Sequence, residues 1–384
     1  MSHFNEMVES PEAIKTVDEP FRHSKIIDIR QAGRLAMEYH KAGKDLKAKR
    51  ICDIMLHAAP ENAEALHLLG RIAMCDSDYR KAVNLIERAV KSDSNRDSFY
   101  CDLGLAYKAI GRFNDAVTAF ESAIEINPKN THAFYNKGLT HKAQGTSGRA
   151  AEAFQRVVNI DPESPSARHL LAALTGETTE KAPKQYIIDL FDQYSKNFDQ
   201  HLTQILGYQL PGRIHRELKA FGRIQKFKRV IDLGCGTGLV GKEIRWAADK
   251  LIGVDMSPKM VTLAGRKKIY DMIFEYEMVD FLFQTEIQYN LFVAADVLIY
   301  TGNLKPLFEA IQRRSADGAY FILTTEHTEA KDIQLLRTGR YAHSPGYIAA
   351  LADEYGYTVK GSRSINIRRE RGKWIVGDLF VLKL

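Results

Sequence analysis

The feature that most constrains the fold is a 34-residue period in the first half of the chain. Pro60, Ser94, Pro128 and Pro162 follow one another at that interval. Three further series keep the same step, and they are, in order, Ala36, Gly70, Gly104 and Gly138; Ala48, Ala82, Ala116 and Ala150; and Gly43, Ser77, Gly111 and Gly145. A fixed period of this length predicts a stack of repeated units, each packing against its neighbours, and not one closed core.

The third unit shows the pattern most fully, with Leu103, Gly104, Tyr107, Gly111, Phe113, Ala116 and Pro128. This pattern resembles the tetratricopeptide repeat. The resemblance implies two antiparallel helices per unit, small residues where the helices approach closely, and a proline that ends the second helix. It covers residues 28–163, with a capping helix expected over 164–175. The fourth unit departs from the pattern at residues 146–148, where we expect a looser turn.

A stack of such repeats presents a concave groove, so the resemblance implies a protein-interaction module. The repeats could instead serve as a scaffold, mediate self-association, or cover a second domain. The sequence identifies no ligand for the groove. A protein partner or self-association through the repeats is therefore the expectation that the sequence supports.

Composition excludes several other classes of protein. A net charge of +6 over 384 residues, without a concentrated basic stripe, gives no reason to expect a nucleic-acid partner. The four cysteines form neither a CxxC pair nor a His/Cys cluster, so no metal site is predicted. No apolar run is long enough to span a bilayer, and the first twenty residues are polar and acidic. We predict a cytoplasmic protein without a membrane span.

The sequence divides into four segments. Residues 1–27 are expected to be flexible, residues 28–175 to form four repeats and the capping helix, and residues 176–183 to be a linker. Residues 184–384 begin with covering helices and continue as short apolar runs that alternate with helical stretches. This alternation predicts an α/β, Rossmann-like domain with a mostly parallel sheet. Two closely joined strands over 357–367 and 374–382 predict an antiparallel hairpin at its end.

A glycine-rich stretch, VIDLGCGTGLVG over residues 230–241, admits two interpretations. Gly236, Gly238 and Gly241 complete the G-x-G-x-x-G pattern of dinucleotide-binding proteins. The other register places Asp232 at the carboxyl end of the strand and takes Gly234, Gly236 and Gly238 as the loop. The dinucleotide register would put a charge and a glycine inside a buried strand, and its carboxylate would repel a pyrophosphate. The second register, which suits a cationic amino-acid moiety, is favoured.

Two further acidic residues follow the next strands. Asp255 ends the LIGVD segment, where a carboxylate can bind ribose hydroxyls. Asp280, with Phe281 beside it, is expected to follow a third strand over 274–279 and to hold the adenine. With these residues the segment from 228 to the end resembles a class I S-adenosylmethionine-dependent methyltransferase. The whole chain resembles bacterial proteins that fuse tetratricopeptide repeats to such a domain.

This resemblance implies S-adenosyl-L-methionine as the cofactor and S-adenosyl-L-homocysteine as the product. Residues 191–198 are similar to a pre-motif in which a tyrosine approaches the methionine carboxylate. The expected cofactor-binding residues are Tyr194, Asp232, Gly234, Cys235, Gly236, Gly238, Asp255, Met256, Asp280, Phe281 and Ala295. No metal is needed, because the methyl group of a sulfonium is already activated for transfer.

Candidates for acceptor binding and catalysis lie after the fourth strand and before the last helix. Asp296 or Tyr300 is expected to contact the acceptor, although Asp296 could instead anchor the adjacent loop. His343 is a candidate general base, because its ordinary pKa lies near neutrality, or it caps the helix that follows. Arg340 could bind an acidic substrate through two hydrogen bonds, or it could pair with an acid on the surface.

The leading prediction is methylation of an oxygen or a nitrogen on a small molecule or a carrier-bound group. One alternative is a protein methyltransferase that recruits its substrate through the repeats, although the Asp296–Tyr300 spacing is one residue longer than the D-x-x-Y element of lysine methyltransferases. Another alternative is an inactive adaptor that retains the methyltransferase fold. The sequence leaves the acceptor undetermined.

Overall fold

The computed structural model describes residues 28–194, 198–220, 226–370 and 372–384, without the side chains of residues 192–194. The expected flexible segment, residues 1–27, lies outside the described residues. Residue contacts divide the chain into two compact units between Ala167 and Arg168, inside the helix Pro165–Thr175. The two-part fold predicted from the sequence, an all-α repeat region followed by a mostly parallel α/β domain, is confirmed.

The first unit consists of paired helices, two for each 34-residue repeat. They are Ile29–Lys41 and Asp45–Ala58, Ala63–Cys75 and Tyr79–Ser92, Asp97–Ala109 and Phe113–Ile126, and Thr131–Gln144 and Ser147–Ile160. The helix Pro165–Thr175 follows them. Each second helix ends two residues before the Pro or Ser of the first series, which accords with the inability of proline to continue a helix.

The turn inside each repeat uses a left-handed residue at the same position. Gly43, Ser77, Gly111 and Gly145 have φ values of 70°, 65°, 78° and 80°. A left-handed residue after a helix lets the last carbonyls bond the following N–H groups. The fourth turn keeps this conformation, and the Thr146 hydroxyl also donates to the His141 carbonyl at 3.0 Å. The expected loosening of that turn is therefore not found in its backbone.

The glycine series marks close contact between the two helices of a repeat. A Cβ at Gly70 would lie 2.4 Å from Ile86, and one at Gly104 would lie 2.6 Å from the ring of Phe120. Gly138 packs in the same manner against Phe154. Ala48, Ala82, Ala116 and Ala150 are all fully buried in the second helices. The period of the sequence thus arises from one packing arrangement used four times.

The second unit continues with helices Lys184–Tyr194 and Leu210–Ala220, separated by a short helical segment Phe198–Gln200 and a π-helical turn His201–Ile205. The described residues that follow contain nine strands: β1 (Phe227–Leu233), β2 (Ala248–Asp255), β3 (Met272–Glu275), β4 (Tyr289–Ala294), β5 (Ser315–His327), β6 (Ile333–Leu335), β7 (Tyr341–His343), β8 (Thr358–Glu370) and β9 (Lys373–Lys383). The helices between them are Leu239–Ile244, Pro258–Arg266, Met278–Gln284, Lys305–Arg314 and Pro345–Glu354, with 3-10 turns at Arg245–Ala247 and Leu298–Tyr300.

The strands form one sheet in the order β3-β2-β1-β4-β5-β7-β6, in which β1 to β5 pair in parallel. β9 pairs antiparallel with both β5 and β8, so the C-terminal hairpin predicted from the sequence is present. β1 lies between β2 and β4. From β1 the chain builds one side of the sheet through β2 and β3, and it then returns to build the other side from β4. In open α/β sheets this switch point, at the carboxyl ends of the strands, is where ligands bind.

Alternate residues of the central strands face opposite cores. Ile231 and Leu233 pack into one buried cluster with Phe292 and Phe321, whereas Val230 packs into the other with the helix Leu210–Ala220. Burial on both sides explains why the parallel strands are continuous apolar runs in the sequence. It also fixes the strand ends at which the loops described below begin.

Candidate active site

The loop after β1 is held in a conformation that favours glycine. Gly234, Gly236 and Gly238 have φ values of 68°, 53° and 89°. A Cβ at Gly234 would lie 2.2 Å from Val297, so this glycine is required by packing. A Cβ at Gly236 would meet no atom within 4 Å, so the backbone at Gly236 borders open space. A ligand can therefore approach the chain closely at this position.

Asp255, the last residue of β2, joins that loop to the next one. Its Oδ2 accepts from the Gly236 N–H at 2.8 Å, and its Oδ1 accepts from the Ser257 N–H at 2.9 Å. Burial raises the pKa of Asp255, whereas these backbone bonds lower it. Each carboxylate oxygen keeps a lone pair for a further donor, as a ribose hydroxyl would be.

Asp232 lies in β1 and is only 1% exposed. Its Oδ2 accepts a hydrogen bond of 2.7 Å from the hydroxyl of Tyr270. Burial raises the pKa of Asp232 to about 7, the bond from Tyr270 lowers it, and the nearby Asp255 raises it. Tyr270 was not among the residues proposed from the sequence, because it lies 38 residues away in a loop before β3.

Tyr270 also explains the third glycine of the dinucleotide-like pattern. A Cβ at Gly241 would lie 2.2 Å from the Tyr270 hydroxyl, and a Cβ at Gly253 would lie 3.1 Å from its ring. Gly238, by contrast, begins the following helix as its N-cap residue. Gly241 therefore makes room for a tyrosine and does not border the ligand space.

A cavity of about 410 Å³ opens at the carboxyl ends of β1, β2 and β4. This volume lies within the usual range for small-molecule sites. Its walls are formed by the glycine loop (residues 234–238), the covering segment (residues 187–191 and 198–208), the ends of β2 and β4, and part of β8. The expected cofactor residues that line it are Asp232, Gly234, Cys235, Gly236, Asp255, Met256 and Ala295. Burial raises the pKa of the Cys235 thiol, so this thiol stays protonated.

The expectation for Asp280 and Phe281 is not supported by the geometry. β3 ends at Glu275, four residues before the expected end, and a helix begins at Met278. Asp280 is exposed in that helix, and Phe281 is buried against the ring of Phe274. Neither residue lines the cavity, which is bordered here by residues 276–278.

Glu277 takes the place at this strand end that Asp280 was expected to take. It caps the helix, since its Oε2 accepts from the N–H groups of Val279 and Asp280 at 2.9 Å each. Tyr276 and Met278 flank it on the cavity wall. The sequence E-Y-E-M at residues 275–278 contains this capping glutamate, but the predicted strand extended across it.

The covering segment is attached to the glycine loop. Asp199 accepts from the hydroxyl of Thr237 and pairs with Lys267. Phe191 and Phe198, whose ring centroids lie 6.0 Å apart, line the cavity on this side. The side chain of Tyr194, expected to approach the methionine carboxylate, lies outside the described residues.

Asp296 lies just after β4 and has a left-handed backbone, with φ of 55°. Its N–H donates to the hydroxyl of Thr324 at 2.9 Å, and its carboxylate pairs with Arg368 of β8. Burial raises the pKa of Asp296, although Arg368 and Arg340 lower it. A strained non-glycine residue that lines a cavity is typical of functional sites.

Asp296 belongs to an ionic network that no short sequence motif contains. Oε1 of Glu326 accepts from Arg340 Nε at 2.7 Å and from Arg368 Nη2 at 2.6 Å. Arg340 also donates two bonds to Glu370, at 2.7 and 2.8 Å. Arg340 thus pairs with acids of the protein, as its second interpretation states, but one of them, Glu326, is buried and does not lie on the surface.

The structure does not place His343 where a general base would act. It is fully buried in β7, and it does not line the cavity. Its Nε2 lies 2.9 Å from the Gly302 carbonyl, and its ring stacks on Tyr347. Burial lowers its pKa to about 4. The helix after it is capped by Ser344, whose side chain accepts from the Tyr347 N–H.

Tyr300 does line the cavity, 8% exposed, with its ring against Phe191 at 5.5 Å. Tyr208 lines it as well and was not anticipated from the sequence. Burial raises the pKa of both phenols, so both hydroxyls are protonated near neutrality. Asp296 contributes to the pKa of each, which places both phenols in its electrostatic range.

Among the described residues, no group of three or more His, Cys, Asp or Glu side chains is arranged to hold a metal ion. The same residues include no helix with the length and apolar character needed to cross a membrane.

Comparison with protein-family models assigns both parts of the chain. Residues 206–359 match a methyltransferase domain. Residues 65–97 and 101–165 each match tetratricopeptide repeats. The chain therefore combines tetratricopeptide repeats with a methyltransferase domain, as the sequence pattern predicted.

Several solved structures are similar to one part of the chain. Magnesium protoporphyrin IX methyltransferase from Synechocystis PCC 6803, with bound SAH, is 17% identical over 52% of this chain and 98% of its own, with a TM-score of 0.41. The N-methyltransferase NodS from Bradyrhizobium japonicum WM9 is 15% identical over 51% and 97%, with a TM-score of 0.42. The Arabidopsis OM64 tetratricopeptide repeat domain is 24% identical over 30% and 94%, with a TM-score of 0.29.

Proposed function

We propose that this protein transfers a methyl group from S-adenosyl-L-methionine to an oxygen or nitrogen of a small molecule or a carrier-bound group. The observation that carries the proposal is the glycine loop bordering the cavity, with Gly236 bonded to Asp255 across the ends of two adjacent strands. The family match to a methyltransferase domain supports it. The repeats would bind a protein partner, and a cytoplasmic location stays a prediction.

The residues present fit this cofactor. The Asp255 carboxylate keeps lone pairs for two ribose hydroxyls, and Met256, Tyr276 and Met278 offer apolar surface for an adenine ring. The open space beside Gly236 accommodates the ribose and methionine portion. Buried Asp232 supports the loop from below, through Tyr270, and adds negative potential toward a cationic ligand whenever it is ionised.

The bound cofactor would supply an activated methyl group on a sulfonium. The protein then has to orient the acceptor, exclude water, and take up a proton where the acceptor carries one. Phe191 and Phe198 cover the cavity and exclude water. Asp296 and the phenols of Tyr208 and Tyr300 are polar groups on the cavity wall that would orient an acceptor.

Isothermal titration calorimetry with S-adenosylmethionine tests the cofactor assignment on the full chain. We expect binding in the micromolar range, and a loss of roughly tenfold or more in Asp255→Ala, because two ribose bonds are removed. Asp249→Ala is the matched control, since Asp249 is exposed at the other end of the same strand. Absence of binding at millimolar cofactor would reject the proposal and favour the inactive adaptor.

The acceptor class is tested separately, with a labelled methyl donor added to cell extract and the full-length protein. Label in metabolites supports a small acceptor, and label in protein bands supports the alternative of a protein methyltransferase recruited through the repeats. The Asp255→Ala variant provides the background, because any label that it still transfers does not depend on this site.

A further inference from the structure

The acceptor end of the cavity carries a surplus of negative charge. The acceptor cluster, defined as Asp296, Glu326, Arg340, Arg368 and Glu370, brings three carboxylates against two guanidinium groups. All of these residues except Glu326 line the cavity. With every group ionised, the acceptor cluster has a net charge of minus one.

Both guanidinium groups of the acceptor cluster are already paired with acids of the protein. Arg340 donates from Nε to Glu326 and from both terminal nitrogens to Glu370. Arg368 donates from its two terminal nitrogens to Asp296 and Glu326. Among the described residues that line the cavity, the only other basic side chain is His201. A carboxylate or phosphate on the acceptor would therefore have to compete with three carboxylates of the protein for these two cations.

Groups able to accept from a ligand do face the cavity. Asp296 uses only Oδ1 toward Arg368, and its Oδ2 has no partner among the described residues. The hydroxyls of Tyr208 and Tyr300 likewise have no bond to the described part of the chain, although Tyr300 is 8% exposed. All three residues line the open cavity, where a ligand atom can reach these oxygens.

We infer that the acceptor is a cationic amine, bound with its ammonium group on Oδ2 of Asp296 and between the phenols of Tyr208 and Tyr300. This inference rests on the proposed function and specifies its substrate class. The aromatic and aliphatic wall, including Phe191, Phe198 and Ile299, then holds the apolar body of that amine. Aromatic rings beside a cation add a favourable interaction.

The chemistry balances with Asp296 as proton acceptor. One proton passes from the ammonium nitrogen to Oδ2 of Asp296, which leaves the nitrogen with its lone pair. That lone pair forms the new N–C bond as the C–S bond of the donor breaks, and the pair of that bond stays on sulfur as a neutral thioether. The product nitrogen carries the methyl group and the positive charge, and the proton on Asp296 leaves to solvent.

The surroundings of Asp296 suit this role. The charged and titratable groups that face it are Arg368 and Glu370 of β8, Glu326 of β5, Arg340 before β7, and the phenols of Tyr208 and Tyr300. Its burial raises its pKa, which makes it a better proton acceptor than an exposed aspartate. Its left-handed backbone limits replacements to residues such as Asn or Gly.

Sinefungin is the probe for this inference, since it resembles the cofactor but carries an amine where the methyl group lies. We expect calorimetry to show that the full-length protein binds sinefungin at least about tenfold more tightly than S-adenosylhomocysteine, which lacks any such group. Asp296→Asn should remove most of that preference and leave the affinity for S-adenosylhomocysteine within about twofold. Asp317→Asn, an exposed change on β5, is the matched control.

The outcomes separate this inference from the proposed function. If S-adenosylhomocysteine and S-adenosylmethionine both fail to bind, the proposed function is rejected. If they bind but sinefungin shows no preference, or if Asp296→Asn weakens all three ligands equally, the amine acceptor is rejected. Tyr208→Phe removes only a hydroxyl and covers the case in which Asp296→Asn unfolds; it should reduce the sinefungin preference several-fold.

A second measurement uses an equimolar panel of arylalkyl amines and the matching arylalkyl carboxylates, with labelled methyl donor. We expect label in the amines, and loss of that label in Asp296→Asn. Label confined to carboxylates or hydroxyl compounds would overturn the inference while leaving the cofactor assignment intact.

Discussion

Tyr270 donates a hydrogen bond of 2.7 Å to Oδ2 of Asp232, beneath the glycine loop and away from solvent. The pair joins β1 to the loop before β3, and it fills the space left by Gly241 and Gly253. Asp232 is therefore a supporting residue of the ligand site, held in place by a phenol. Because Asp232 is buried, its contribution to the stability of the fold depends strongly on pH.

The first prediction concerns that dependence. The pKa of Asp232 is about 7 in the folded protein, against 3.8 when unperturbed, so the folded state keeps a proton that the unfolded chain releases. The stabilisation is complete below about pH 4 and is lost as pH rises through about 7. Relative to Asp232→Asn, the wild-type free energy of unfolding should fall by a few kcal/mol over that range.

Urea unfolding of the wild type and of Asp232→Asn at several pH values measures this difference in the free energy of unfolding. Both tryptophans, Trp246 and Trp374, lie in the second unit, so their fluorescence reports on the unit that contains Asp232. A difference between the two proteins that stays constant from pH 4 to pH 7.5 would contradict the prediction.

A second prediction separates the glycines that border the ligand from those that do not. Gly236→Ala adds a methyl group beside the cavity in a left-handed residue, and should weaken S-adenosylmethionine binding by roughly tenfold or more. Gly265→Ala, in the helix Pro258–Arg266 with no atom near its new Cβ, should bind the cofactor as the wild type does. Calorimetry compares the two, and equal affinities would contradict this account of the loop.

The third prediction tests the acceptor cluster as a structural unit. Arg368→Met leaves Asp296 and Glu326 buried with one fewer cation, and we expect a loss of about 3–5 kcal/mol in the free energy of unfolding. Arg363→Met on the same strand removes an exposed ion pair with Glu217 and should cost less than about 1 kcal/mol. Tryptophan fluorescence in urea distinguishes the two, and similar losses would show that the network is not buried as described.

The fourth prediction follows from the buried His343. Its pKa of about 4 in the fold lies below the unperturbed 6.5, so the unfolded chain binds a proton that the fold excludes. Stability should therefore fall as pH decreases from about 6.5 to about 4. His343→Gln keeps a nitrogen that can reach the Gly302 carbonyl and removes this sensitivity. Unfolding curves for both proteins that shift in parallel between pH 4.5 and pH 7 would be the contrary result.

The fifth prediction concerns the repeats. Gly104→Ala places a Cβ 2.6 Å from Phe120 and should destabilise the first unit by about 1–3 kcal/mol. Gly148→Ala, in a helix with free space around it, should be neutral or stabilising by up to about 1 kcal/mol. Thermal unfolding followed by far-ultraviolet circular dichroism compares the two variants. Equal melting temperatures would contradict the close helix contact.

Local sequence predicted those parts of the fold that are set by local patterns. The 34-residue period reflects Gly–Ile and Gly–Phe contacts within one repeat, and the apolar strands reflect burial on both faces of the sheet. The third strand was predicted too long because apolar residues alternate with Glu275 and Glu277 from β3 into the helix, a pattern that is also typical of a strand. The N-cap hydrogen bonds of Glu277 decide where that helix begins.

The charged end of the cavity could not be predicted in the same way. Asp296, Glu326 and Arg368 come from three strand ends separated by at least 30 residues each, and sequence pattern carries no information on their pairing. For the same reason His343 could not be excluded as a base. Its ordinary pKa suggested the role, and only its burial against Gly302 and Tyr347 removes it.

The packing of Tyr270 against Gly241 and Gly253 has an evolutionary consequence. The Tyr270 ring alone imposes the glycine at position 241, whereas a Cβ at position 253 would also meet Cys235 and Ile273. Positions 241 and 270 should therefore change together across related chains, and relatives with a small residue in place of Tyr270 would be free to carry alanine or serine at position 241. In such chains the apparent dinucleotide pattern would vanish, while the loop from Gly234 to Gly238 would persist.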